Sequence, residues 1–130
     1  MTGNNYLIDS SAWVEYFDGT PLGAHLKRIL DDPHNTSFVC GNVICEVMSK
    51  LVRRGFGPEE YFQIIRSRTK FIEDSALDYM NAGIRHAVLK KSEERISYTD
   101  ALLIVLSETR KLKIVSKDAH LKGNNTLFLR

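Results

Sequence analysis

Disulfide scaffolds, membrane spans and proline-rich linkers each need residues that this chain has few of. It contains two cysteines, three prolines and one tryptophan among 130 residues. Cys40 and Cys45 lie five positions apart, and no further cysteine or suitably spaced histidine completes a zinc site, so both are expected to be reduced core thiols. The longest apolar run, Ala101 to Leu106, is far short of the roughly 20 residues that cross a bilayer. The opening "MTGNNYLID" has neither a basic n-region nor a secretory h-region, and a cytoplasmic location is expected. An excess of one charge is missing too, with 18 basic against 16 acidic side chains and a net +2. There is no internal repeat or low-complexity tract.

What is present suffices for one hydrophobic core. With 43% hydrophobic residues, residues 1–130 are expected to form a single domain. Residues 6 to 9 read as a short strand ending at Asp9, and a helix from about Ser11 to Phe17 closes at Asp18-Gly19. Pro21 opens a helix with Leu22, Leu26, Ile29 and Leu30 on one face. "TSFVC" reads as a second strand. A helix from about Val43 to Arg54 follows, with Val43, Ile44, Val47, Met48 and Leu51 as its stripe and Gly55 at its end. Pro58 starts a short helix to about Arg68, and "KFIED" is a strand or an extended connection. Leu77, Met80, Ile84, Ala87 and Val88 mark a long amphipathic helix ending near Lys91, and "SEERISY" is a polar loop. "TDALLIVLSETRK" is ambiguous by periodicity, but its length and Thr99 as a cap favour a buried helix. "LKIVS" and "NTLFL" complete the strands. This alternation predicts an α/β fold, a parallel sheet of four to five strands with helices on both faces.

In such a sheet, ligand sites gather at the carboxyl edge of the strands. Asp9 ends the first strand, Glu46 lies one turn into the helix after the second, Asp100 sits in a first helical turn, and Asp118 follows "KIVS". Each has an ordinary reading as a cap, a turn residue or a solvated side chain. Those readings explain the acids singly, but not their arrival at one edge. Close carboxylates repel unless a cation holds them or some are protonated. Oxygen-only donors suit Mg²⁺ or Mn²⁺, and such an ion can activate water and offset charge at a phosphoryl group.

The ordered segments "YLIDSSAWVEYF", "VICEVMSKLVRRG", "ISYTDALLIVLSE" and "KIVSKDAHLK" resemble the PIN domain family and, within it, the VapC-type ribonuclease toxins. The resemblance implies Asp9, Glu46, Asp100 and Asp118 as an acidic quartet holding Mg²⁺ or Mn²⁺. Ser10 and Ser116 match hydroxyl positions beside it, and His120-Leu121 replaces an aromatic often found there. It further implies strand order 3-2-1-4-5, a homodimer, a small cognate antitoxin, and RNA cleavage to 5′-phosphate and 3′-hydroxyl ends.

With the quartet set aside, 18 positive side chains face 12 negative ones, a balance suited to a polyphosphate substrate. Lys50, Arg53, Arg54, Lys117 and Lys122 are the candidate RNA contacts; Trp13 and Phe17 are expected in the core. Three other readings compete: a non-cleaving RNA-binding or interaction module of the same fold, a housekeeping RNA-processing nuclease, and a phosphatase or receiver-like domain.

Overall fold

In the computed structural model, which describes residues 3–130, strands and helices alternate as the pattern predicts. Met1 and Thr2, part of the N-terminal stretch read above, lie outside the described residues. The order is β1 (Asn5–Ile8), α1 (Ser10–Asp18), α2 (Pro21–Asp31), β2 (Thr36–Val39), α3 (Gly41–Arg53), α4 (Pro58–Arg68), β3 (Lys70–Phe71), α5 (Ala76–Leu89), α6 (Tyr98–Arg110), β4 (Lys113–Ser116), a 3₁₀ turn (Ala119–Leu121) and β5 (Thr126–Phe128). The five strands are all parallel, in the order β3-β2-β1-β4-β5. No helix among the described residues is long and apolar enough to cross a membrane.

The central strands β1 and β4 bury Leu7, Ile8, Ile114 and Val115 completely, as both faces of a parallel sheet are covered. The ambiguous run resolves as α6, in which every residue from Thr99 to Ser107 is buried; a helix apolar all round belongs inside. Two glycines set the α1–α2 corner. Gly19 adopts φ 69°, a left-handed conformation that closes α1. A Cβ on Gly23 would stand 2.1 Å from the Glu15 carbonyl oxygen, so only glycine allows this close approach of α2 to α1. Trp13 is fully buried and Phe17 packs on it with ring centroids 5.8 Å apart.

"KFIED" is strand and connection in turn: Lys70–Phe71 form the two-residue edge strand β3, and the Ile72 N–H still donates to the Val39 carbonyl at 2.9 Å. Two expectations need correction. Cys40 is a buried thiol, its pKa pushed up to about 11 by burial, whereas Cys45 is exposed and is no core residue. The apolar stripe of α5 faces outward: Leu77, Met80, Ile84 and Val88 are 55–60% exposed. The side of α5 that meets α6 instead buries Asp78 and Ala82. Arg110 of α6 grips Asp78 at 2.9 and 3.1 Å, and Arg85 of α5 grips Glu108 at 2.7 and 2.9 Å. Paired charges thus tie α5 inward and leave its apolar stripe outside.

Candidate active site

Asp9 ends up both cap and site residue. β1 stops at Ile8, and Asp9 takes an extended conformation as the N-cap of α1. It is 3% exposed, and a buried carboxylate needs donors. Its Oδ1 accepts from the Ser10 N–H at 2.8 Å. Its Oδ2 accepts from the Ser11 hydroxyl at 2.8 Å and from the Ser116 hydroxyl at 2.7 Å. Ser116 also accepts from the Asp118 N–H at 2.8 Å, so one hydroxyl links the acids that follow β1 and β4.

The other two aspartates are likewise built into caps. In the capping box that opens α6, the Asp100 N–H donates to the Ser97 hydroxyl and Asp100 Oδ2 accepts from the Ser97 N–H, both at 3.0 Å. Asp118 caps the 3₁₀ turn, its Oδ1 accepting from the His120 N–H at 2.9 Å. Glu46 is half-buried on α3, one turn in from the carboxyl edge. All four acids line a single cavity of about 470 Å³.

This cavity works against its own charges. Burial pushes the Asp9 carboxyl above its ordinary value despite its serine donors, and the charge of Asp118 adds to the shift. Burial likewise raises Asp100, with Asp118 and Asp9 contributing like-charge repulsion. Among the described residues, no three His, Cys, Asp or Glu side chains already stand close enough together to hold a metal ion. The donor chemistry nevertheless fits a hard divalent cation: four carboxylates, with neither thiol nor imidazole needed.

A cationic wall flanks the acids. Ser49, Lys50 and Arg53 lie on the same face of α3 as Glu46 and line the same cavity. The other candidate contacts are placed differently. Arg54 pairs with Asp18 at 2.9 Å, Lys117 with Glu15 at 3.2 Å, and Lys122 stands over the Phe128 ring at 5.4 Å. Tyr98, 72% exposed, lies tilted against His86 with ring centroids 4.2 Å apart. His120, at the position where the resembled family often carries an aromatic, reaches Glu93 at 3.3 Å.

Ser10 lines the cavity but meets Asp9 through its backbone N–H; the hydroxyl that grips the carboxylate belongs to Ser11. Sequence reasoning missed Ser11, because its role depends on β4 lying beside β1. The available signal was a second hydroxyl two residues after the strand-ending acid.

Comparison with known proteins agrees with this fold. The PIN domain family matches residues 6–125. A VapC ribonuclease of Mycobacterium bovis is 28% identical over 116 residues, covering 87% of this chain and 86% of the relative. Ribonuclease VapC11 of Mycobacterium tuberculosis matches with the same identity and coverage. Among solved structures, the sarcin-ricin loop cleaving toxin VapC20 of Mycobacterium tuberculosis superposes with a TM-score of 0.75 at 15% identity, over 96% of this chain and 98% of that one. VapBC2 of Rickettsia felis, solved with a DNA fragment from its promoter, superposes at 0.71 with 17% identity, over 95% of this chain and 96% of that one. On the family match, the strand order and the carboxylates gathered at the sheet edge, this chain belongs to the PIN domain family.

Proposed function

We propose that this chain is a metal-dependent endoribonuclease of the VapC toxin type, cutting RNA phosphodiester bonds at the carboxylate cavity. The observation that carries this reading is the delivery of Asp9, Glu46, Asp100 and Asp118, from four separate elements, to one cavity bordered by Lys50 and Arg53. The ribonuclease names of relatives that align over most of the chain support it.

The four acids are the residues that would hold Mg²⁺ or Mn²⁺. Such an ion, when bound, supplies a Lewis acid that lowers the pKa of water and offsets charge on the phosphoryl oxygens. The protein's own residues do the placing. The serine donors fix Asp9, the capping box fixes Asp100, and the 3₁₀ turn fixes Asp118. Lys50 and Arg53, one and two turns along α3 from Glu46, hold phosphates that flank the scissile one. The products carry 5′-phosphate and 3′-hydroxyl ends, as in the family it resembles.

A small antitoxin is the protein partner on this reading, in the cytoplasm, and the working form is a homodimer. The outer face of α5 supports the dimer. From Ala76 to Val88 its exposed residues are Ala76, Leu77, Tyr79, Met80, Gly83, Ile84, Ala87 and Val88, without one charge. Uncharged apolar faces of this kind mark interaction surfaces. Antiparallel crossing of two copies about Gly83 would set the same uncharged face of each α5 against the other, as twofold symmetry requires. A Cβ on Gly83 would touch nothing within 4 Å in its own chain, so the helix backbone there is open to an approach from outside.

The nuclease reading is tested by incubating the protein with a broad set of RNAs, with Mn²⁺, with EDTA, and with Mn²⁺ restored. Cleavage is expected to stop in EDTA and to return with the ion. Cleavage that persists in EDTA overturns the metal mechanism, and no cleavage of any RNA favours the non-cleaving module.

A further inference from the structure

The hydrogen bonds around Asp9 are unevenly shared between its two oxygens. A carboxylate offers about four lone-pair directions. Oδ2 receives two hydroxyl donors, from Ser11 and Ser116, while Oδ1 receives the single Ser10 N–H. Each hydroxyl has one proton to give. The 3.1 Å contact between the Ser11 and Ser116 hydroxyls therefore reports two side chains drawn to the same acceptor. Oδ2 is filled by the protein, and the one open direction lies on Oδ1.

Ser11 also reaches forward. Its hydroxyl accepts from the Lys117 N–H at 3.2 Å. One helical turn later on α1, Glu15 holds the Lys117 ammonium at 3.2 Å. The segment that carries Asp118 is thus clamped to α1 at two points, and the clamp begins at the side chain that orients Asp9.

We infer that Ser11 is a positioning residue of the cation site: its hydroxyl limits Asp9 to one free oxygen and fixes Asp118 relative to it. The inference rests on the metal-site reading above and adds a residue to it. Ser11→Ala leaves Oδ2 half-filled, frees the carboxylate to rotate and removes one clamp point. Partners that orient metal ligands typically contribute about 10- to 100-fold in ion affinity.

The test is Mn²⁺ binding to the full chain, followed by the electron paramagnetic resonance signal of the free ion, with RNA cleavage measured in parallel. Mn²⁺ affinity of Ser11→Ala is expected to fall by about tenfold or more, with kcat lowered more than KM for RNA is raised. Ser11→Thr, which restores the hydroxyl, is expected to recover most of the affinity, and Ser10→Ala to lose less than Ser11→Ala. Thermal melting identifies variants that fail to fold, and Ser11→Thr then carries the comparison: a folded Ser11→Thr weaker in Mn²⁺ than folded Ser10→Ala contradicts the inference. Unchanged affinity in folded Ser11→Ala overturns it while leaving the metal site standing. A wild-type chain that binds no Mn²⁺ overturns the metal site and the inference together.

Discussion

Two regions of this molecule reverse the usual partition of side chains, in opposite directions. The cavity at the carboxyl edge of the sheet buries carboxylates, and the outer face of α5 exposes Leu77, Met80, Ile84 and Val88. The two differ in how much the chain does about its own anomaly. At the cavity it supplies two hydroxyls and an N–H to Asp9 and a backbone N–H each to Asp100 and Asp118, and still leaves Asp9 and Asp100 shifted upward. On α5 it supplies nothing: paired charges hold the inner side while the outer side stays bare. A buried charge without partners is prohibitive, so the protein must partly satisfy it before any ligand arrives. An exposed apolar side chain is tolerated in water. Only the first region is therefore built in detail.

The largest expected effect separates the two regions. Asp9→Asn should lower the RNA cleavage rate on the order of 10³-fold, equal to about 4 kcal/mol at 1.36 kcal/mol per decade. It should at the same time leave the metal-free melting temperature unchanged or higher, because a desolvated charge is removed. A destabilised Asp9→Asn protein would show that the carboxylate is kept for folding. On the other region, Ile84→Glu should convert the dimer to monomers in light scattering at micromolar concentration, without lowering the melting temperature of the monomer. A wild type that is already monomeric, or a variant that remains dimeric, rules out the α5 interface.

Smaller effects sharpen the contrast. Lys50→Ala and Arg53→Ala should each raise KM for RNA several-fold with kcat nearly kept, and each should reduce the salt dependence of binding by about 0.7 in slope. An effect confined to kcat would move these residues from phosphate holding into the chemistry. The smallest effect is the pH dependence of stability. Asp9 and Asp100 have folded pKa values above the unfolded ones, so their stabilising contribution is full below about pH 4 and is lost as pH rises through the folded values. Asp78 is the opposite case: Arg110 holds it at about 2, so its contribution is full above about pH 4 and is lost as pH falls toward 2. The metal-free melting temperature should therefore decline as pH rises above about 4, through the raised folded values of Asp9 and Asp100, and Mn²⁺ should flatten the decline. A rise over that range contradicts the burial of uncompensated carboxylates.

The sequence made the architecture legible because the apolar periodicities are strong and the turn residues fall between them. Even α6, ambiguous by pattern, was settled by length, although its cap is Ser97 and not Thr99, which lies within the first turn. The acids were legible for a topological reason: once the strands are parallel, the residues that follow them share an edge. Two things were hidden. Periodicity marks an apolar stripe but cannot say whether core or solvent receives it, and on α5 the paired Asp78 and Arg85 decide in favour of solvent. The contact of Ser11 with Lys117 crosses more than 100 positions, a distance over which spacing carries no information. Arg54 and Lys117 read as free cations because Asp18 and Glu15, which engage them, are brought close only by the fold.

The central claim is that acids from separate elements serve one cation. It is tested most directly by comparing Asp9→Asn, Asp100→Asn and the double variant in Mn²⁺-supported RNA cleavage. Groups that act as a unit lose their effect together. The account predicts that the double variant cleaves about as slowly as either single variant; losses that multiply would mean that the two acids act independently, and would contradict it.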